Sequence, residues 1–154
     1  MLTSRDYSLD DLKKLVIETS QISDPNHTYM FWGHIWVKEG YKNLSDRELI
    51  HKGIHMVQED EVNFITMLLF LIISMLYGLS AYVFILGILW IATFWFTSLF
   101  YILEVFSVMV LGCRKNPLET EALMHQGDRE YLKKRKPFAW IKYMVLYFFK
   151  DPDE

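Results

Sequence analysis

The chain has 154 residues, of which 52% are hydrophobic, 16% aromatic and 23% charged, with a net charge of −3. That length is one domain's worth, and a weakly acidic chain lacks the basic field that a nucleic-acid partner requires. One cysteine, Cys113, excludes an intramolecular disulfide framework.

The first residues, MLTSRDYSLDDLKK, read as neither a secretory signal nor an Arg-rich transit peptide. Residues 8–22 read as a helix, with Ser8 as N-cap, acidic residues in its first turn, and an apolar stripe of Leu9, Leu12, Leu15 and Val16. Pro25 stops it. The aromatic stretch HTYMFWGHIWVKEGY, with Gly33 and Gly40, reads as a surface that packs on partners or on a membrane. A second helix opens at Ser45, which forms a capping box with Glu48. Its apolar positions Ile50, Ile54 and Val57 recur at helical spacing, and nothing ends it before Val62, Gly53 notwithstanding.

From Val62 to Leu103 the chain runs 42 residues without Asp, Glu, Lys, Arg or His. A run of roughly 18 apolar residues is enough to suggest a membrane span. One helix of that length would be about 63 Å long, twice the roughly 30 Å hydrocarbon core. The pattern therefore predicts an all-α membrane protein built on a two-span transmembrane helical hairpin. Its helices are placed near 62–78 and 82–104, with the turn near 79–81. Ser74 with Gly78, and Thr93 with Thr97, supply small-residue packing pairs. Glu104 falls near the basic-side interface.

Residues 113–154 read as a connector followed by an interfacial amphipathic helix at 138–149, too short to cross a bilayer. The predicted organisation is thus an N-terminal helical arm (1–61), the hairpin (62–112) and this C-terminal region. Basic residues lie outside the apolar run, so the positive-inside rule places both termini in the matrix or the cytosol.

His51, His55 and Glu59 share one helix face and make the best candidate metal set. The pair of histidines is a short signal on its own, so no metal, cofactor or catalytic residue is expected and the chain reads as a non-enzyme. Arg114, Lys115, Lys133, Lys134, Arg135, Lys136 and Trp140 are the expected lipid or partner contacts.

This architecture resembles that of the supernumerary subunits of mitochondrial respiratory complexes or ATP synthase. The resemblance covers a class and no single motif. It implies a non-catalytic accessory subunit in the mitochondrial inner membrane with both termini in the matrix. Such a subunit would contact neighbouring membrane subunits and phospholipid such as cardiolipin. Two alternatives stay open: an endoplasmic-reticulum or Golgi hairpin that shapes membrane or aids trafficking, with cytosolic termini, and a small metal-dependent membrane enzyme.

Overall fold

The computed structural model describes residues 7–24, 28–31, 33–76, 85, 87 and 116–149. Among them are five helices and a three-stranded sheet. Helix α1 (Leu9–Lys14) leads into β1 (Val16–Thr19), β2 (Tyr29–Phe31) and β3 (His34–Lys38). The long helix α2 (Asp46–Leu76) follows, then α3 (Pro117–His125), α4 (Tyr131–Lys134) and α5 (Trp140–Phe149).

Helix α1 begins as the sequence predicts. The Ser8 hydroxyl accepts from the Asp11 backbone N–H at 3.2 Å, and the Asp11 carboxylate returns the bond to Ser8. The helix ends at Lys14, however, and the chain extends through Val16, Ile17 and Thr19. Three of that strand's four residues are β-branched, side chains that lose freedom in a helix and fit a pleated surface. The sheet order is β1-β3-β2, with β1 parallel and β2 antiparallel to β3. Only two residues separate β2 from β3, and Gly33 turns there with φ +68°. That left-handed conformation suits glycine because it has no Cβ to clash.

Register aligns the buried side chains across the sheet: Val16 pairs with Ile35, and Ile35 with Met30. Along β3, Ile35 and Val37 are buried while His34, Trp36 and Lys38 are half-exposed, the period of two expected of a strand with one core face.

The expectation of an all-α membrane protein with a two-span hairpin is corrected on two grounds. Residues read as helix (16–19), and residues 29–31 and 34–38 within the stretch read as a packing surface, form a sheet, because β-branched and alternating residues override the helical stripe. Among the described residues, no helix is long and apolar enough to cross a membrane. The charge-free part of α2 within them, 62–76, is about 22 Å long at about 1.5 Å per residue, short of the roughly 30 Å core. The turn near 79–81, Gly78, Thr93, Thr97, Glu104, Arg114 and Lys115 lie outside the described residues. So does the second span, apart from Ile85 and Gly87, which are helical.

Helix α2 does run unbroken through Gly53 and past Val62, as its pattern predicts. Its start is the expected box: the Ser45 N–H donates to the Glu48 carboxylate at 2.8 Å, and the Ser45 hydroxyl accepts from Glu48 N–H. The core lies between α2 and everything else. Leu49, Ile50, Ile54, Met56 and Val62 of α2 pack with Leu12, the sheet's Val16, Ile35 and Val37, and with Leu118, Ala122 and Leu132. Each fully buried Leu or Ile contributes about 1.5–3 kcal/mol relative to exposure. Gly53 permits the closest approach. A Cβ there would lie 2.8 Å from the Leu132 Cδ1 and 2.9 Å from the Leu12 Cδ1.

Candidate functional site

Past its apolar face, the same stretch of α2 carries a ladder of polar residues at helical spacing: His51, His55, Gln58 and Glu61. Helix α3 lies against it. Asn116 caps α3, its side-chain oxygen accepting from Leu118 N–H at 3.0 Å, and Pro117 fills the first helical position. That start puts Glu119 in the first turn, where a carboxylate also meets the helix dipole favourably, and Glu121 two residues on.

Glu119 faces both histidines. His55 Nε2 lies 3.1 Å from Glu119 Oε2, His51 Nε2 lies 3.7 Å from Glu119 Oε1, and the two Nε2 atoms are 3.2 Å apart. The rings meet edge-on, with centroids 4.8 Å apart. One ligand atom from each of the three residues therefore sits within reach of a common point, the arrangement that could hold a metal ion. Glu59, which the sequence groups with the two histidines, is not part of this cluster. Glu119 takes its place from another helix.

Burial, and then the charge of His55, push His51 down to about 4, so it is a neutral imidazole at physiological pH. Glu119 is held below the usual carboxylate range, chiefly by its hydrogen bond with His55. Glu59 moves the other way. It is buried, and desolvation with help from Asp60 pushes it up to about 7.

Behind the cluster lies a buried polar network. Gln58 Nε2 donates to Leu118 O at 3.0 Å and to Glu121 Oε2 at 2.9 Å. Glu121 also accepts from Tyr131 OH at 2.8 Å, and from Arg135 Nε at 2.6 Å and Nη2 at 3.1 Å. The second edge of the Arg135 guanidinium forks onto Glu61, Nη1 to Oε1 at 2.6 Å and Nη2 to Oε2 at 3.0 Å. Glu61 then accepts from the Phe138 backbone N–H at 2.7 Å and from Trp140 Nε1 at 3.0 Å. Phe138 has φ +58°, a left-handed conformation that costs a non-glycine residue about 1–2 kcal/mol. The bond to Glu61 helps to hold it where α5 begins.

Other residues expected to be functional fall in different places. Lys133, Lys134 and Lys136 are exposed, as a contact with a charged surface requires. Arg135, from the same run, is buried between two carboxylates, because its side chain turns inward to satisfy Glu61 and Glu121. Trp140 packs partly buried against the core. Ser74 lies in α2. Sequence reasoning missed Glu119, Gln58, Glu61 and Glu121. The one available signal was the Asn-Pro helix start, which fixes Glu119 in a first turn but says nothing of what that turn faces.

Beyond Val62 the character of α2 changes. Met67, Leu68, Leu69, Leu71, Ile72, Ile73 and Met75 are all exposed, and at about 100° per residue they spread over about two thirds of the helix circumference. Ile141, Met144 and Val145 of α5 are exposed as well.

Compared with protein-family models, curated proteins and solved structures, the chain matches none.

Proposed function

We propose that this chain is a non-catalytic accessory subunit of a large mitochondrial inner-membrane complex, of the respiratory chain first and of ATP synthase second. One observation carries the proposal: seven large apolar side chains of α2 between Met67 and Met75 are exposed and cover about two thirds of its circumference. Contiguous exposed apolar surface of this kind marks a protein or membrane contact.

The neighbouring folded unit supports the same role. Its small core and ion network hold α2, α3 and α5 together, so the apolar surfaces are offered from a fixed frame. The exposed Lys133, Lys134 and Lys136 stand close in sequence to the exposed apolar residues of α5. That combination suits an anionic phospholipid such as cardiolipin, each basic residue contributing about 1 kcal/mol near such a surface.

The test is native gel electrophoresis of gently solubilised membranes, with mass spectrometry of whatever comigrates with the chain. Migration within a respiratory or ATP synthase assembly supports the proposal and names the complex. Migration as a monomer or small oligomer refutes it.

A further inference from the structure

We propose that His51, His55 and Glu119 form a binding site for one divalent first-row transition-metal ion, zinc or iron(II) in type, which ties α2 to α3 and leaves its remaining coordination positions toward solvent.

Gln58 fixes which nitrogen of His55 carries a hydrogen. Both of its N–H groups are committed to acceptors, Leu118 O and Glu121 Oε2, which fixes the orientation of the amide. Its Oε1 must then be the atom facing His55 Nδ1 at 2.8 Å, so Nδ1 carries the hydrogen and donates. In the neutral ring that leaves a lone pair on Nε2. This lone pair points at His51 Nε2, 3.2 Å away, and at Glu119 Oε2, 3.1 Å away. A carboxylate only accepts, so this contact needs either a proton on His55 Nε2 or, for the neutral ring, a cation between the two groups.

A proton on His55 Nε2 and a cation at this point would occupy the same place, so the two compete for it. A cation between the three groups satisfies all of them together. The spacing suits an ion as well. Ligands about 2.0–2.1 Å from a tetrahedral zinc lie roughly 3.3–3.4 Å from one another. The two Nε2 atoms are 3.2 Å apart, His55 Nε2 is 3.1 Å from Glu119 Oε2, and one ligand atom from each of the three residues lies within 4.8 Å of the others, so a small side-chain adjustment brings the set to that value.

Chemistry selects the ion class. Two imidazoles with one carboxylate suit zinc and iron, whereas magnesium and calcium take oxygen ligands. The outer support is also of the expected kind, since a metal-binding histidine donates its second N–H to a fixed acceptor that orients the ring. Gln58 does this for His55, and Glu121, Arg135 and Tyr131 anchor the sequence of bonds behind it. His51 lacks such support, because its Nδ1 is buried without a partner. The two histidines are therefore unequal ligands, with His55 the better oriented. Access is one-sided: the His55 side chain is 4% exposed, against 15% for His51 and 28% for Glu119, so the free coordination positions open on the His51 and Glu119 side.

The experiment uses the full chain, stripped with a chelator and titrated with Zn²⁺ against a chromophoric competitor. Co²⁺ serves in parallel as a spectroscopic probe of coordination. One equivalent binds the wild type, with a cobalt spectrum of nitrogen and oxygen ligation. His55→Ala and Glu119→Gln lose that equivalent while circular dichroism shows them folded. Gln58→Leu leaves all three ligands in place, and its affinity falls by about 10- to 100-fold, the usual effect of removing an outer-shell partner. Glu59→Gln retains full affinity. The assignment is overturned if the folded wild type takes up no equivalent. It is also overturned if Glu119→Gln binds as the wild type does, or if Glu59→Gln loses the ion as Glu119→Gln should.

Discussion

Arg135 is the residue whose removal tests the energetics of this fold most directly. Its guanidinium spends both edges on Glu61 and Glu121, whose side chains are 6% and 0% exposed. Arg135→Met keeps much of the volume and removes the charge. Glu61 would retain only the Phe138 and Trp140 donors, and Glu121 only Gln58 and Tyr131. Breaking a buried ion pair by deleting one partner costs about 3–5 kcal/mol, since the abandoned charge has nowhere to go. A domain of this size has only about 5–15 kcal/mol in hand. Equilibrium urea unfolding followed by circular dichroism measures the loss. With a slope of about 2 kcal/mol per molar, the midpoint should fall by roughly 2 M. The triple variant Arg135→Met, Glu61→Gln, Glu121→Gln removes the orphaned charges and should regain more than half of that. A midpoint shift below about 0.5 M for Arg135→Met would show that water reaches the carboxylates, and the account of a sealed network would be wrong.

Three further outcomes follow from other sites. Glu59, raised from 4.5 to about 7, has its folded-state value above its unfolded one, so its contribution to stability is full below about pH 4.5 and is lost as the pH rises through 7. Glu59→Gln should therefore change little at pH 5 and stabilise at pH 8 by up to about 3 kcal/mol, as thermal melts at the two pH values would show. Gly53→Ala gains about 1 kcal/mol of helix propensity but overpacks Leu12 and Leu132 at about 1–3 kcal/mol, for a net loss of up to about 2 kcal/mol. A melting temperature higher than wild type would mean that the two leucines swing aside freely. Ser45→Ala removes the cap of α2 and should cost about 1 kcal/mol in urea unfolding, with the loss concentrated in hydrogen-exchange protection of the first turn.

Local features of the chain proved legible and long-range ones did not. Ser8 and Ser45 announce their helices because a cap is written within four residues. The continuity of α2 through Gly53 is written in its apolar spacing. The sheet was missed because Leu9, Leu12, Leu15 and Val16 also satisfy a helical stripe. Only the β-branched run and the alternation of Ile35 and Val37 oppose that stripe, and both are short. The His51 and His55 pair was visible, and Glu59 was the natural third ligand on one helix. Its replacement, Glu119, lies 64 residues beyond His55, and no local pattern encodes a meeting at that range. Arg135 looked like one more cation in a basic run because its two carboxylate partners lie 14 and 74 residues away.

Those separations bear on the order in which the protein is made. Glu61 is synthesised 74 residues before Arg135, an interval of roughly 4 to 15 s at about 5–20 residues per second. During it the carboxylate that will anchor the start of α5 lacks its folded-state partner, and burying it unpaired would be costly. The Glu121 carboxylate waits only 14 residues. The sheet and α1 have all their own residues long before. A chain that begins to fold during synthesis would therefore leave both carboxylates in water until Arg135 arrives. A single late residue, Arg135, then closes both carboxylates at once.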